Sequence, residues 1–230
     1  MVRYGMVIDT TKCTGCSVCF GACKDEFVGN DYPAGSNGTG TGATYYSKAQ
    51  PDAQYGYYGG APAANGTGNG SAWVIPGQTW MKDVQVVSGT SPNLQSRFVY
   101  EPCMQCSNAP CIAAATGGAV SARPDGIVLI DPVKSVGQKN IMSACPYGRI
   151  YWNSTLNIPQ KCTFCAHRID NGQNPKCVDA CPMSAITFGD LDASTSPIAA
   201  VVGQSSVLHP EYNLKTAVTY IGLITGTEEK

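Results

Sequence analysis

The chain is short of charge, of histidine and of long apolar runs. Charged residues fill only 13% of its 230 positions, against roughly 25% in ordinary soluble domains. A surface like that is either largely covered by a partner or unusually rich in neutral polar groups. Formal net charge is −1, and none of the 15 Lys and Arg residues is adjacent to another, so no nucleic-acid footprint is expected. No apolar run approaches the roughly 20 residues of a membrane span. The opening "MVRYGMVIDTTKC" lacks the apolar stretch and small-residue cleavage site of a signal peptide, so export would need help from another protein. No Ser/His/Asp set, phosphate loop or dinucleotide fingerprint offers an active site.

Cysteine is absent from 24–102 and again after 181, yet the chain has twelve. They are concentrated where chemistry is expected. "CTGCSVCFGAC" places Cys13, Cys16, Cys19 and Cys23 at C-x2-C-x2-C-x3-C, the spacing of bacterial ferredoxins. "CMQCSNAPC" holds Cys103, Cys106 and Cys111, and "CTFCAHRIDNGQNPKCVDACP" holds Cys162, Cys165, Cys177 and Cys181. Three thiolates on one turn can grip three corners of an iron–sulfur cubane, and in two-cluster ferredoxins the fourth ligand comes from the other motif.

By that rule Cys13, Cys16 and Cys19 take Cys181, while Cys162, Cys165 and Cys177 take Cys23. The triple Cys103, Cys106 and Cys111 then needs one distant cysteine. Cys145, in "ACPYG", is the one left, and it precedes a proline as a terminal ferredoxin ligand does. Twelve thiols therefore divide into three sets of four, and three [4Fe–4S] clusters are expected. A fourth cluster would use Ala115, Ser135, Gln138 and Ile141, none of them cysteine. Losing all the ligands of one site while keeping all those of its neighbour is the pattern of a lost cluster.

Other readings of the cysteines remain. Zinc accepts four thiolates but usually pairs two C-x2-C knuckles. A disulfide framework suits a short secreted chain and has no use for repeated C-x2-C. One of the three clusters could be a three-iron form. Of the two histidines, His167 is expected to pack or hydrogen-bond near a cluster and His209 to lie on the surface.

The intervening segments read as an α+β chain of tandem ferredoxin-like units of the bacterial 2[4Fe–4S] type, with short strands, short helices and long loop insertions. "RYGMVIDTTK" ends a strand at a polar turn, and "SVCFGACKDEF" has helical character, with Cys19 and Cys23 on one face. "MKDVQVVSG" and "QSRFVYEP" alternate as a hairpin, and "GAVSARPDGIVLID" is strand, Pro-Asp-Gly turn and strand. "PVKSVGQKNIMSA" reads as a short helix, with strands at "RIYW" and "SAITFGD". The first unit is expected over 1–33 and 153–190 and holds two clusters. The second, over 81–152, holds one. Between them, 34–80 is an insertion of Gly, Ser, Thr, Asn and Tyr that suits a loop packed on a surface, and 191–230 is an arm lying on a partner.

The cysteine motifs, with "PCMQCSNAPC", "PDGIVLIDP", "ACPYGRIYWN" and "QKCTFCAHRID", resemble the iron–sulfur subunits of molybdopterin oxidoreductases of the dimethyl-sulfoxide-reductase family. Within it they are most similar to the small subunits of pyrogallol–phloroglucinol transhydroxylases, which hold three cubanes. The likeness covers about 1–33 and 80–190 and is weak in the insertion and the tail. Lys24 stands where ferredoxins often have proline after the fourth cysteine. The resemblance implies an electron-transfer subunit that is not an enzyme by itself. It implies a large catalytic partner carrying molybdenum or tungsten with a pterin cofactor, and a membrane anchor or other redox carrier as a further partner. A free-standing polyferredoxin is the alternative, though such proteins tend to be acidic and compact. Sequons at Asn37, Asn65, Asn69 and Asn153 and the low charge suit the outer face of the cytoplasmic membrane, reached by co-export with the catalytic subunit; the cytoplasm is the other possibility.

Overall fold

The computed structural model describes residues 2–27, 80–153, 157–224 and 227–229. Along the chain these form β1 (Tyr4–Asp9), α1 (Val18–Phe27), β2 (Lys82–Ser88), β3 (Gln95–Glu101), α2 (Pro110–Ala114), β4 (Val120–Ala122), β5 (Val128–Ile130) and α3 (Lys139–Ser143). The second half continues with β6 (Tyr151–Asn153), β7 (Ile158–Gln160), α4 (Ala166–Ile169), α5 (Lys176–Ala180), β8 (Ile186–Asp190), α6 (Ala199–Val202), β9 (Val218–Ile221) and β10 (Thr227–Glu229). Short strands and helices thus alternate with cysteine-bearing loops. Among the described residues no helix is long and apolar enough to cross a membrane. The insertion expected over 34–80 lies outside the described residues except for Trp80, as do the sequons at Asn37, Asn65 and Asn69.

β1 is the centre of a three-stranded sheet. It pairs antiparallel with β8, Met6 opposite Phe188, and parallel with β9, Met6 beside Val218. A strand covered on both faces needs consecutive apolar residues, and Met6, Val7 and Ile8 are all buried. β2 and β3 form the expected hairpin, extended by β10. Here the inward side chains alternate along the strand, Val84 and Val86 facing the core with Val99. Two smaller hairpins follow, β4 with β5 and β6 with β7. The β4–β5 turn is held by Asp125, whose carboxylate accepts the Ile127 N–H at 3.2 Å.

The main core gathers Met6, Ile8, Tyr100, Met104, Phe164, Phe188 and Tyr220, with cysteines from all three loop groups packed against it. A second core fills the space between α2, α3 and the two small hairpins, with Ile130, Ile141, Ile150 and Ile158 at its centre. A buried ion pair ties the β4–β5 hairpin to the end of α4, Arg123 reaching Asp170 at 2.6 Å, while Asp125 in the hairpin's own turn takes the same guanidinium at 2.8 Å.

The structure departs from the sequence expectation in three places. The helix expected over 132–144 is reduced to α3, because the chain turns at Gly137 with a positive φ of 77°. β8 begins two residues after Ser184, whose left-handed backbone closes the turn after Cys181. The tail, expected to lie on a partner, instead supplies this chain's own sheet with β9, where Val218 and Tyr220 are fully buried. The Tyr220 hydroxyl donates to the Tyr100 carbonyl at 3.1 Å.

Candidate iron–sulfur sites

The leading C-x-x-C of each cysteine group uses the same backbone device. The residue just before the second cysteine has a left-handed conformation: Gly15 (φ 71°), Gln105 (φ 47°) and Phe164 (φ 54°). That state costs an ordinary L-residue roughly 1–2 kcal/mol, so its recurrence with Gly, Gln and Phe at the same position marks a constraint on the loops. It curls the backbone around the leading thiol. The Phe164 N–H points at Cys162 Sγ at 3.4 Å, and the Gly15 N–H does the same for Cys13. At Gly15 glycine is doubly required, since a Cβ would stand 2.7 Å from the Phe98 ring.

A second device is shared by the two C-P turns. After Cys145 the chain passes through left-handed Gly148, and the Arg149 N–H returns to Cys145 Sγ at 3.4 Å. After Cys181 it passes through left-handed Ser184, and the Ala185 N–H returns to Cys181 Sγ at 3.3 Å. Proline at the next position suits the turn because no amide donor is needed there.

The folded chain brings the thiols together in three places. Cys13, Cys16, Cys19 and Cys181 line a hollow with Ile8, Tyr100, Pro182, Met183 and Ile186. Cys103, Cys106, Cys111 and Cys145 line another, with Val128, Ile150 and Leu214. Cys23, Cys162, Cys165 and Cys177 are electrostatic neighbours in the interior, where α1 packs against α5. These groups form a file. Cys19 of the first is also a neighbour of Cys23 and Cys177, while the Cys103 backbone hydrogen-bonds to Cys162.

Burial works against ionising these sulfurs. It pushes Cys19, Cys106 and Cys165 up to about 12 and Cys111 and Cys162 up to about 11, with neighbouring thiols adding to the rise, while Cys23 and Cys177 go well above their ordinary value. Four buried thiolates side by side are thus unfavourable without positive charge between them. Metal coordination removes the thiol proton outright. A thiol-lined, largely apolar hollow with amides aimed at sulfur is a donor set that fits a four-iron cubane. Among the described residues no three His, Cys, Asp or Glu side chains are gathered as ligands of a single ion.

The positions where a fourth site would have lain serve other ends. Ile141 is fully buried in the second core, Ala115 packs against it, and Ser135 is wholly buried. The Gln138 side chain accepts from the Thr116 N–H at 2.9 Å and donates to the Lys134 carbonyl at 2.7 Å. His167 Nε2 lies 2.8 Å from Glu26, and His209 stacks on Tyr212 near the surface. Several neighbours of the thiols carried no mark in the sequence. Arg149 is paired at 3.5 Å with buried Glu101, Tyr100 takes the Ser17 N–H at 2.9 Å, and Gln105 and Lys161 are buried between two groups. No cysteine spacing predicts them, because their surroundings exist only in the folded chain.

Comparison with known proteins fits this geometry. The family described as "4Fe-4S dicluster domain" matches residues 94–191. The pyrogallol hydroxytransferase small subunit of Pelobacter acidigallici is 34% identical, over 97% of this chain and 70% of the relative. The chlorate reductase subunit beta of Ideonella dechloratans is 31% identical, over 95% of this chain and 77% of the relative. The arsenate respiratory reductase iron–sulfur subunit of Shewanella sp. (strain ANA-3) is 26% identical, over 96% of each. Identity at that level runs well beyond the cysteine loops, so this chain belongs to the iron–sulfur subunits of the dimethyl-sulfoxide-reductase family of oxidoreductase complexes.

Proposed function

We propose that this chain is an electron-transfer subunit with three [4Fe–4S] clusters, working to or from a large catalytic subunit that carries molybdenum or tungsten with a pterin cofactor. The observation that carries the reading is the file of three thiol groups, joined at Cys19 and at the Cys103–Cys162 contact. Cys13, Cys16, Cys19 and Cys181 would hold the first cluster. The second would rest on Cys23, Cys162, Cys165 and Cys177, and the third on Cys103, Cys106, Cys111 and Cys145. A cubane held by four thiolates offers no open iron to a substrate and exchanges one electron at a time. The protein's part is to exclude water, fix the order of the sites and supply amides and charges around the sulfurs.

The tandem organisation follows from the same residues. The first ferredoxin-like unit takes 1–33 and 153–190, the second 81–152. The matching turns after Cys145 and Cys181 are what two copies of one plan would leave. Aliphatic packing by Ile141 and Ala115 accounts for one site in the second unit instead of two. The catalytic subunit is the partner that the relatives' names suggest, with a membrane anchor or another redox carrier beyond it. The 34–80 insertion and the exposed part of 191–230 are the segments assigned to partner contact. We assign the complex to the outer face of the cytoplasmic membrane, reached by co-export, a reading that the low charge of the chain supports.

Iron and sulfide analysis of the native complex tests the cluster count. About twelve irons and twelve sulfides per copy of this chain are expected, after subtracting those of the other subunits. About eight would remove the Cys145 site, and about sixteen would require a fourth. A colourless protein containing zinc would overturn the reading, and elution as a lone chain on gel filtration would favour a free polyferredoxin. Protease treatment of intact spheroplasts tests location: full protection places the complex inside.

A further inference from the structure

Lys161 is among the most deeply buried side chains of the molecule, at 1% exposure. Its nitrogen is aimed at two backbone carbonyls, those of Val128 and Cys162. Among the described residues no carboxylate pairs with it. A buried ammonium normally has a counter-charge, because leaving it without one is costly.

Its position suggests where that counter-charge lies. Val128 lines the hollow of Cys103, Cys106, Cys111 and Cys145, and Cys162 belongs to the group of Cys23, Cys165 and Cys177. Gln105 braces the same junction. Its amide donates to the Cys162 carbonyl at 2.9 Å and accepts the Val128 N–H at 2.8 Å. Gln105 comes from the loop of one group, and Lys161 immediately precedes the first cysteine of the other. Together they form a buried polar clamp between two thiol groups, with a single cation in it.

We propose that Lys161 is a potential-setting residue for the second and third sites, its buried charge favouring the electron-rich state of both; the inference rests on the electron-transfer reading above. Each electron taken up adds one negative charge to a site, with no proton or other reactant needed. A cation held in low dielectric stabilises that added charge more than it would in water. The first site is different. Its loop faces a carboxylate instead: Asp83 accepts from the hydroxyl of Ser17, between Cys16 and Cys19, at 3.0 Å. Lys161 therefore raises the potentials of the second and third sites and leaves the first without that contribution.

The test is a redox titration of the intact complex followed by electron paramagnetic resonance, with Lys161→Met, Lys161→Gln and Lys161→Arg. In the Met and Gln variants the reduced-to-oxidised ratio of two sites should fall at least tenfold at fixed ambient potential, about 59 mV for a one-electron couple. The Cys13 site should not move, and Arg should restore most of the shift. Gln keeps a hydrogen-bond donor without the charge, so a Gln variant that titrates like the parent overturns the proposal, as does a loaded Met variant that does. If Met loses iron, the Gln variant decides by the same criterion; loss of iron from both neutral variants assigns Lys161 to site assembly and also overturns it. Failure of the electron-transfer reading looks different: the unmodified complex would show no reducible sites in this chain.

Discussion

The Arg149 N–H stands 3.4 Å from Cys145 Sγ, closing a turn that the Ala185 N–H repeats at Cys181 at 3.3 Å. An amide directed at sulfur favours the thiolate, as it does in ligand loops generally. Cys145 thus has the local setting of a final ligand, although its companions are three loops away in sequence. Cys145→Ser should damage only the site of Cys103, Cys106 and Cys111, because a hydroxyl is a poorer ligand for iron. Spectra of the reduced complex should show one altered signal and two preserved ones. Three intact signals would show that Cys145 is not a ligand.

Gly15 offers a second, independent test within a different loop. Alanine there meets a positive φ of 71° and the Phe98 ring at 2.7 Å. The backbone term alone costs about 1–2 kcal/mol. Gly15→Ala should lower the iron content of the first site and leave the other two loaded, by iron analysis and spectroscopy. Gly21, whose added Cβ would meet nothing within 4 Å, serves as the control. Alanine at Gly21 should retain all the iron.

The cysteine loops were readable in the sequence because ligand chemistry fixes both residue type and spacing. The hairpin around Val84 and Val99 was readable because one face of it is buried and the other is not. What escaped was set by contacts remote in sequence. The four residues of β9 are a strand because β1, more than two hundred positions earlier, lies beside them. Lys161 looks like a surface residue in the sequence, and only the meeting of Val128 with Cys162 makes its site. Gln105 adopts a left-handed backbone that its own chemistry does not favour, because the loop requires that curl. The order of the three thiol groups is likewise a property of the folded chain, created where α1 packs on α5.

Because Tyr220 is fully buried and hydrogen-bonded to the Tyr100 carbonyl, the tail is tied to the floor of the first hollow. Tyr220→Phe should cost about 1 kcal/mol, the net value of a neutral hydrogen bond. Tyr220→Ala should cost about 3–5 kcal/mol through the cavity it leaves. The expected reading is a graded loss of resistance to guanidinium, small for Phe and large for Ala. Equal behaviour of Ala and the parent would return the tail to the role of a detachable arm.

Arg123 carries the last prediction. Burial opposes its charge, but hydrogen bonds and charge from Asp170 and Asp125 more than offset this and hold the guanidinium above its ordinary value. Side-chain exposures of 9% for Arg123 and 8% for Asp170 leave little solvent to screen a stranded partner. Arg123→Met removes one cation and leaves two carboxylates close together in a poorly hydrated pocket. Breaking a buried pair from one side costs about 3–5 kcal/mol. The double change Arg123→Met with Asp170→Asn removes one of the stranded charges and should recover part of that loss. Unfolding with bound clusters is not a two-state equilibrium, so the readout is the half-life of cluster absorbance in guanidinium. The single variant should bleach much faster than the parent, with the double variant between them. If the single variant bleaches at the parental rate, the Arg123–Asp170 tie does not hold the β4–β5 hairpin to the loop of Cys162 and Cys165.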